Sequence, residues 1–378
     1  MNNSSDITDK LPLVFVTGAS GFVALHCVKR LLEGPYRVRG TVRTKNDKKT
    51  IAPLLRLPHA ISKLEIVEAD LMGSPEHWVL VMSGCTFVLH VASPVIIRAT
   101  EEIVATAVNG TLNVLAAANA CPEVKHVVVT SSCAAINDGH ENPPPIFDES
   151  FWTDVESKNT EWYGRSKTLA ERAAWQYWHS LPEPTRFSLT VLCPTVVFGP
   201  VLSDRSHASA SALARMMKRS TSLAQPKVSI GVVDVRDVAE AHVRVLERPE
   251  TDGERILITA TPSAWFADIA RWLKKEFSPY GYRISTLKCP DWILKVYAAS
   301  GVDPESKTIL GRLGEPTIRF DNSKSIRLLD MQYRRVDKAV ADMMHSMIEM
   351  GIVKATNKYQ KRNRKVAKVE NVFQTTTV

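Results

Sequence analysis

Tyr163 and Lys167 open a stretch with helical spacing, Tyr163-Gly164-Arg165-Ser166-Lys167. The interval i, i+4 puts both side chains on one helix face. An ammonium beside a phenol favours the phenolate and is expected to lower the tyrosine's pKa towards working pH. Such a tyrosine can exchange a proton with a carbonyl or hydroxyl oxygen while a nicotinamide exchanges a hydride. Lys167 can also hydrogen-bond the nicotinamide ribose. Upstream, Thr130-Ser131-Ser132 closes the apolar run 127–130 and offers a hydroxyl to hold the same oxygen. Taken alone, Tyr-x-x-x-Lys is common on exposed helix faces. Its weight here comes from order: a glycine turn, then a strand ending in Ser-Ser, then the tyrosine and lysine.

The glycine turn is Thr17-Gly18-Ala19-Ser20-Gly21-Phe22-Val23-Ala24. It lies between the apolar run 13–16 and a predicted helix over 22–32, with Leu25, Val28, Leu31 and Leu32 at helical spacing. Glycines mark turns everywhere, but within a strand–turn–helix unit near the N-terminus they read as a pyrophosphate cradle. Gly18 permits the tight turn, and Gly21 lets backbone approach a pyrophosphate at the helix N-terminus. Ala24 stands where a third glycine is common and is small enough for close helix–strand packing. The next predicted strand, 36–42, ends at Val42-Arg43, where an NAD-selective site usually carries an acid for the ribose 2′-hydroxyl. Arg43, followed by Lys45, Lys48 and Lys49, suits a 2′-phosphate instead, which a guanidinium grips through two bonds. A basic solvated loop is the plain alternative. NADP(H) is expected over NAD(H).

The elements that must carry these residues alternate. Short β-rich runs over 64–69, 87–91, 127–130 and 188–192 are interleaved with helical stretches over 51–57, 101–120 and 238–246. That rhythm predicts an α/β protein with a Rossmann-type, doubly wound parallel sheet covered on both faces. Asn142-Pro143-Pro144-Pro145 must be a loop. The expected organisation is a polar leader, 1–11, and a cofactor domain with the catalytic residues, 12–200. Residues 201–353 form a smaller, mainly substrate-binding lobe over the strands' carboxyl ends, with 228–247 returning to the sheet. The lobe's helices are predicted over 265–277, 292–299 and 336–350, with Trp265, Trp272 and Phe277 as its core. A basic, disordered tail, 354–378, ends the chain.

Composition excludes some functions. Of the net charge of +8, six units fall in that tail, whose seven cations face Glu370 alone. The body is nearly neutral, so charge gives no reason to expect nucleic acid. No run reaches the ~18–20 uninterrupted apolar residues of a membrane span. The polar, partly acidic N-terminus resembles neither a secretory nor a transit signal, so a cytoplasmic location is expected. The six cysteines are scattered without metal spacing and read as reduced, mostly buried thiols. His90 and His242, in apolar surroundings, read as satisfied core histidines. Asp234 and Asp237, flanking Arg236, read as a helix cap and ion pair. Asn109 reads as a helix-packing amide or a polar relay, and Asn137 as a residue facing substrate.

The chain resembles the extended short-chain dehydrogenases/reductases of the NAD-dependent epimerase/dehydratase superfamily, in particular the dihydroflavonol 4-reductase and cinnamoyl-CoA reductase group. The segments that carry the likeness are VTGASGFVA, GTVR, Asp70-Leu71, VLHVASPV, VNGTLNVL, VVVTSS, YGRSKTLAE, CPTVVFGP and VDVRDVAEAH, over residues 12–245, with FDNSKSIRLL further on. The resemblance implies a pyrophosphate lined by Gly18, Ser20, Gly21, Phe22 and Val23, and a 2′-phosphate met by Arg43 and Lys49. It implies adenine contacts from Asp70 and Leu71, ribose contacts from Val91, Ala92 and Ser93, and a nicotinamide flanked by Pro194 and Val197. Tyr163 and Lys167 also touch the cofactor. Ser132, before the small Cys133, matches the catalytic serine better than Ser131 does. The loop from Ser132 to Tyr163 is short against the plant enzymes, so the substrate wall it forms is expected to differ. The implied activity is NADP(H)-dependent interconversion of a small-molecule carbonyl and its alcohol. Rivals on the same scaffold are a 3β-hydroxysteroid dehydrogenase and a nucleotide-sugar epimerase. A rival from another class is a non-catalytic NADP(H) sensor, against which the complete Ser132, Tyr163 and Lys167 set argues. The substrate's identity and the oligomeric state stay open.

Overall fold

The computed structural model describes residues 10–94, 101–205, 207–217, 224–299 and 317–361. The polar leader up to residue 9 and the basic end from 362 lie outside the described residues. The chain divides into two units, one of residues 1–197, 231–263 and 318–334, the other of 198–230, 264–317 and 335–378.

The first unit is built on β1 (Leu13–Val16), α1 (Phe22–Leu32), β2 (Arg37–Val42), α2 (Lys48–Leu55), α3 (Ala60–Lys63), β3 (Leu64–Glu68), α4 (Pro75–Met82), β4 (Phe87–His90), α5 (Glu101–Ala120), β5 (His126–Thr130), α6 (Trp162–Ser180) and β6 (Ser188–Pro194). After β7 (Val196–Phe198) and α7 (Ala208–Met217) come β8 (Ser229–Asp234), α8 (Val235–Leu246) and β9 (Glu254–Ile258). Seven strands pair in the order β3-β2-β1-β4-β5-β6-β9. Every pairing is parallel. All four residues of β1 are buried, as a strand covered on both faces requires. The order reverses between β1 and β4, and open α/β sheets bind ligands at the carboxyl ends beside such a switch.

Several boundaries differ from the sequence reading. Helix α2 begins at Lys48 because Asp47 caps it, accepting from the Lys49 amide at 3.0 Å. Helix α4 has no counterpart in the predicted set, although Ser74 caps it and Pro75 opens it. Residues 231–263 belong to the first unit, but β8, the strand within 228–247, lies outside the seven-stranded sheet; the return to that sheet is made further on, by β9, which pairs with β6. Residues 318–334 join the same unit, and Phe320 bridges to Phe147. Helix α5 is long and apolar enough by composition to cross a membrane. Ile103, Ala107, Val114, Leu115, Ala117 and Ala118 on it are buried, as in a core helix.

The second unit contains α9 (Phe266–Phe277), α10 (Asp291–Ala299) and α12 (Val336–Glu349), while α11 (Ser323–Leu329) belongs to the first. Phe277 is fully buried, and Trp265 and Trp272 are half-buried. The expected disordered tail begins too early at 354. Residues 357–361 are helical and Tyr359 is buried, its hydroxyl 2.8 Å from His345 Nδ1. Lys354, Lys358 and Lys361 lie exposed around it, which is why charge masked the anchor.

Candidate active site

The turn after β1 is held by its neighbours on both sides. The Thr17 amide donates to the Leu89 carbonyl at 3.0 Å, and the Ala19 amide to the Thr41 carbonyl at 2.9 Å. The Gly18 amide donates to Thr41 Oγ1 at 2.9 Å. Gly18 has φ +62°, and a Cβ there would stand 3.0 Å from that of Ala92. A Cβ on Gly40, in β2, would come within 2.7 Å of the Ala19 side chain, so this glycine lets the turn pass over the sheet. Gly21 is the N-cap of α1. The first-turn amides of a helix point out of its N-terminus, and the first turn of α1 holds no acid. Backbone donors at a helix N-terminus, in a cradle that a Cβ would fill, fit a pyrophosphate.

A chain of buried polar groups locks β4 to this turn. Thr17 Oγ1 accepts from the amides of Val91 at 3.0 Å and Ala92 at 2.9 Å. Its own proton therefore points to His90 Nδ1, 3.1 Å away. Thr111 Oγ1 donates to the Ala107 carbonyl at 2.8 Å and lies 3.3 Å from His90 Nε2. The order of bonds puts the imidazole proton on Nε2. Burial, helped by the Lys167 charge, holds His90 neutral with its pKa lowered to about 3. It is a satisfied core histidine, as expected, and it fixes Val91 and Ala92 where the ribose side is expected. Ser93 lies with Lys167 and His90 around one small pocket.

At the ends of β2 and β3 the cations are exposed. Arg43 and Lys49 enter no ion pair among the described residues, so both are open to an anion. Asp70 is exposed, and its carboxylate accepts from the Met72 amide at 2.9 Å. Leu71 packs so closely on α5 that a Cβ on Gly110 would stand 3.0 Å from it. Asn113 Nδ2 donates to the Leu71 carbonyl at 3.0 Å and holds this turn. Asn109 is exposed and is not the packing amide. Asn113, one turn on, does that work.

The catalytic candidates converge at the end of β5. Ser132 is extended (φ −161°), and its Oγ accepts from the Ala134 amide at 3.1 Å. The same hydroxyl lies beside the Tyr163 phenol and favours its ionised form. Tyr163 stands in the first turn of α6, and Lys167 is buried on the same helix, its Nζ donating to the Thr130 carbonyl at 3.1 Å. The following Gly164 is required because a Cβ would lie 2.6 Å from Asp138 Oδ2. The expected lowering of the tyrosine's pKa does not occur. As a residue Tyr163 is 37% exposed, but its hydroxyl end is enclosed, and burial raises its pKa to about 12 against the opposing pull of the Ser132 hydroxyl. The lysine, turned to Thr130, does not offset this. Burial lowers Lys167 instead to about 8, opposed by Cys193 and Glu171.

Pro194 is buried at the end of β6 opposite Ile258, and Val197 is half-buried in β7. Asn137 Oδ1 is buried with no hydrogen-bond partner among the described residues. His242 Nε2 lies 2.7 Å from Thr130 Oγ1, a core role as expected. Asp234 caps α8 and pairs with Arg236. Asp237, however, pairs with Arg334, a partner distant in sequence. The six cysteines are free thiols, four of them buried. Sequence reasoning missed Gly40, Asn113, Glu171 and Arg255. Glu171 had a signal, standing four residues beyond Lys167, whereas Arg255 had none, since its partners come from three separate segments.

Fold and site together define a dinucleotide-binding oxidoreductase. A model of the NAD dependent epimerase/dehydratase family matches residues 14–259. Tetraketide alpha-pyrone reductase 1 of Arabidopsis thaliana is 34% identical over 346 residues, covering 89% of this chain and 96% of that protein. Cinnamoyl-CoA reductase 1 of the same plant is 35% identical over 343 residues, covering 89% and 90%. The structure of Gre2 in complex with NADPH from Candida albicans superposes with a TM-score of 0.71 at 26% identity, over 90% of this chain and 99% of that one. The chain belongs to the NAD dependent epimerase/dehydratase family, within its extended short-chain dehydrogenases/reductases of the dihydroflavonol 4-reductase and cinnamoyl-CoA reductase group.

Proposed function

We propose that this protein reduces a small-molecule ketone or aldehyde with NADPH, Tyr163 donating the proton. The observation that carries the reading is the Ser132 hydroxyl beside the Tyr163 phenol, with Lys167 buried four residues along the same helix and donating to the Thr130 carbonyl at the end of β5. When bound, NADPH supplies the hydride. The Phe22 and Val23 amides hold its pyrophosphate, Arg43 and Lys49 its 2′-phosphate, and Asp70 and Leu71 its adenine. Ser20 also lines the pyrophosphate, Val91, Ala92 and Ser93 the ribose, and Pro194 and Val197 the nicotinamide. Ser132 and Tyr163 together receive the carbonyl oxygen, each hydroxyl donating to it. Tyr163, protonated up to about pH 12, passes its proton to that oxygen as negative charge develops there. The Lys167 ammonium stabilises the tyrosinate left behind and binds the ribose.

Asn137 supports a polar substrate. A buried amide oxygen without a partner costs ~1–3 kcal/mol, and a substrate hydroxyl or amide proton would satisfy it. The relatives' names point to carbonyls on extended or aromatic acyl compounds as the first to try. The test follows NADPH absorbance with cinnamoyl-CoA, a tetraketide pyrone, and simple aliphatic and aromatic aldehydes, beside NADH. Turnover with NADPH that Tyr163→Phe abolishes is the expected result. No NADPH oxidation across the panel would overturn the reading in favour of a cofactor sensor. Strict NADH use with binding of a UDP-sugar would favour an epimerase.

A further inference from the structure

Behind Ser132, Tyr163 and Lys167 lies a second buried cluster, centred on Glu171 and Arg255, to which the proposed proton transfer assigns no step. Glu171 follows Lys167 at i+4, so Tyr163, Lys167 and Glu171 lie along one face of α6. The Glu171 side chain is fully buried and that of Arg255, on β9, is 8% exposed. Ser131 donates its hydroxyl to Glu171 Oε2, and Arg255 Nε donates to Oε1. The other four guanidinium N–H groups reach the carbonyls of Ala135 at 3.0 Å, Glu149 at 2.9 Å and Phe151 at 2.6 Å, and Glu171 Oε2 at 3.4 Å. All five donors are used, and the Trp152 ring covers the guanidinium face at 3.9 Å. A lysine has three donors and no such fork.

The attachment points give the cluster its meaning. Ser131 precedes Ser132, and Ala135 ends the 3₁₀ turn that follows it. The ion pair therefore ties both sides of the Ser132 segment to the helix that bears Tyr163 and Lys167. We propose that Glu171 and Arg255 are positioning residues that set the Ser132–Tyr163–Lys167 geometry, an inference that rests on the catalytic roles proposed above. Glu171 has an electrostatic role as well. Lys167 faces His90 on β4, Cys193 on β6, the Thr130 carbonyl on β5, and Glu171 on its own helix. Burial keeps His90 and Cys193 neutral, leaving the Glu171 carboxylate as the negative charge that favours the ammonium.

The test compares the wild type, Tyr163→Phe, Glu171→Gln, Arg255→Lys and Ser131→Ala. Each is checked for folding by circular dichroism and for NADPH binding by fluorescence, then assayed with NADPH and 4-nitrobenzaldehyde or the best carbonyl of the panel. Glu171→Gln is expected to lower kcat at least tenfold, with NADPH affinity within about threefold, and to move the alkaline limb of the kcat profile to lower pH. Arg255→Lys is expected to lose kcat comparably while the limb stays in place, because the Glu171 charge remains. Ser131→Ala, the mildest cut in the same link, is expected to lose kcat severalfold and carries the test if Glu171→Gln does not fold. Folded variants that keep wild-type kcat and pH profile, losing thermal stability alone, would show a structural pair and overturn the inference. An active Tyr163→Phe would defeat the catalytic reading itself. An inactive Tyr163→Phe beside a fully active Glu171→Gln would defeat only the positioning role.

Discussion

At the end of β1 the protein makes room for a charged ligand by leaving side chains out. At the end of β5 it buries charged side chains of its own. Gly18 and Gly40 leave out side chains that would meet Ala92 and Ala19, so β2 and β4 approach the turn, and the cations Arg43 and Lys49 stay in solvent. Around Ser132, by contrast, Lys167, Glu171 and Arg255 are all buried and every one has a hydrogen-bond partner. The difference follows from the tasks. A pyrophosphate brings its own charge and needs close approach to a helix N-terminus, whereas proton transfer needs a phenol and an ammonium held in a low-dielectric surrounding. The first region is expected to govern affinity and the second rate.

The largest effect should break the catalytic side alone. Tyr163→Phe is expected to lower kcat by ~10²–10⁴-fold with little change in NADPH affinity, measured by steady-state turnover and fluorescence titration. Arg43→Ala tests the opposite side. Losing a charge-assisted phosphate bond of ~1.5–3 kcal/mol should weaken NADPH binding about 10- to 100-fold, with kcat at saturation and NADH affinity nearly unchanged. An equal loss for NADH would place Arg43 away from the 2′-phosphate.

The pH profile sharpens the contrast further. Lys167 has its pKa depressed to about 8, so its ammonium is lost as pH rises through that value. The carbonyl-reduction rate should therefore fall about tenfold per pH unit above 8, where Tyr163, with a pKa near 12, is still protonated. A limb that persists in a folded Lys167→Met variant would assign the titration elsewhere. The smallest effect is Gly40→Ala. Its Cβ would press on Ala19 at 2.7 Å, and overpacking of this kind costs ~1–3 kcal/mol, read as a lower urea midpoint. The turn is expected to shift enough to weaken NADPH severalfold while kcat at saturation holds.

Two pairs of residues show why the chemistry was more legible than its support. Tyr163 and Lys167 are neighbours by helix geometry alone, so their spacing states their relation before any fold exists. Arg255 lies far along the chain from Glu171 and acquires its role because β9 pairs with β6, a partnership no local pattern announces. Gly40 looked like any residue of a strand until Ala19 was laid over it. Tyr359, hidden among lysines, was read as tail because charge is visible in sequence and burial is not.

What the amino-acid order determined by itself was therefore local: the glycine turn, the serine at a strand end, the i, i+4 pair and the alternation that makes a parallel sheet. These depend on helix period, strand burial and the conformational freedom of glycine, each decided within a few residues. Tertiary structure decided the rest: the high pKa of Tyr163 and the low one of Lys167, the tautomer of His90, the partner of Asp237 and the clamp on Ser132. Those depend on dielectric surroundings and on groups brought together from distant segments, and neither exists until the sheet has closed around them.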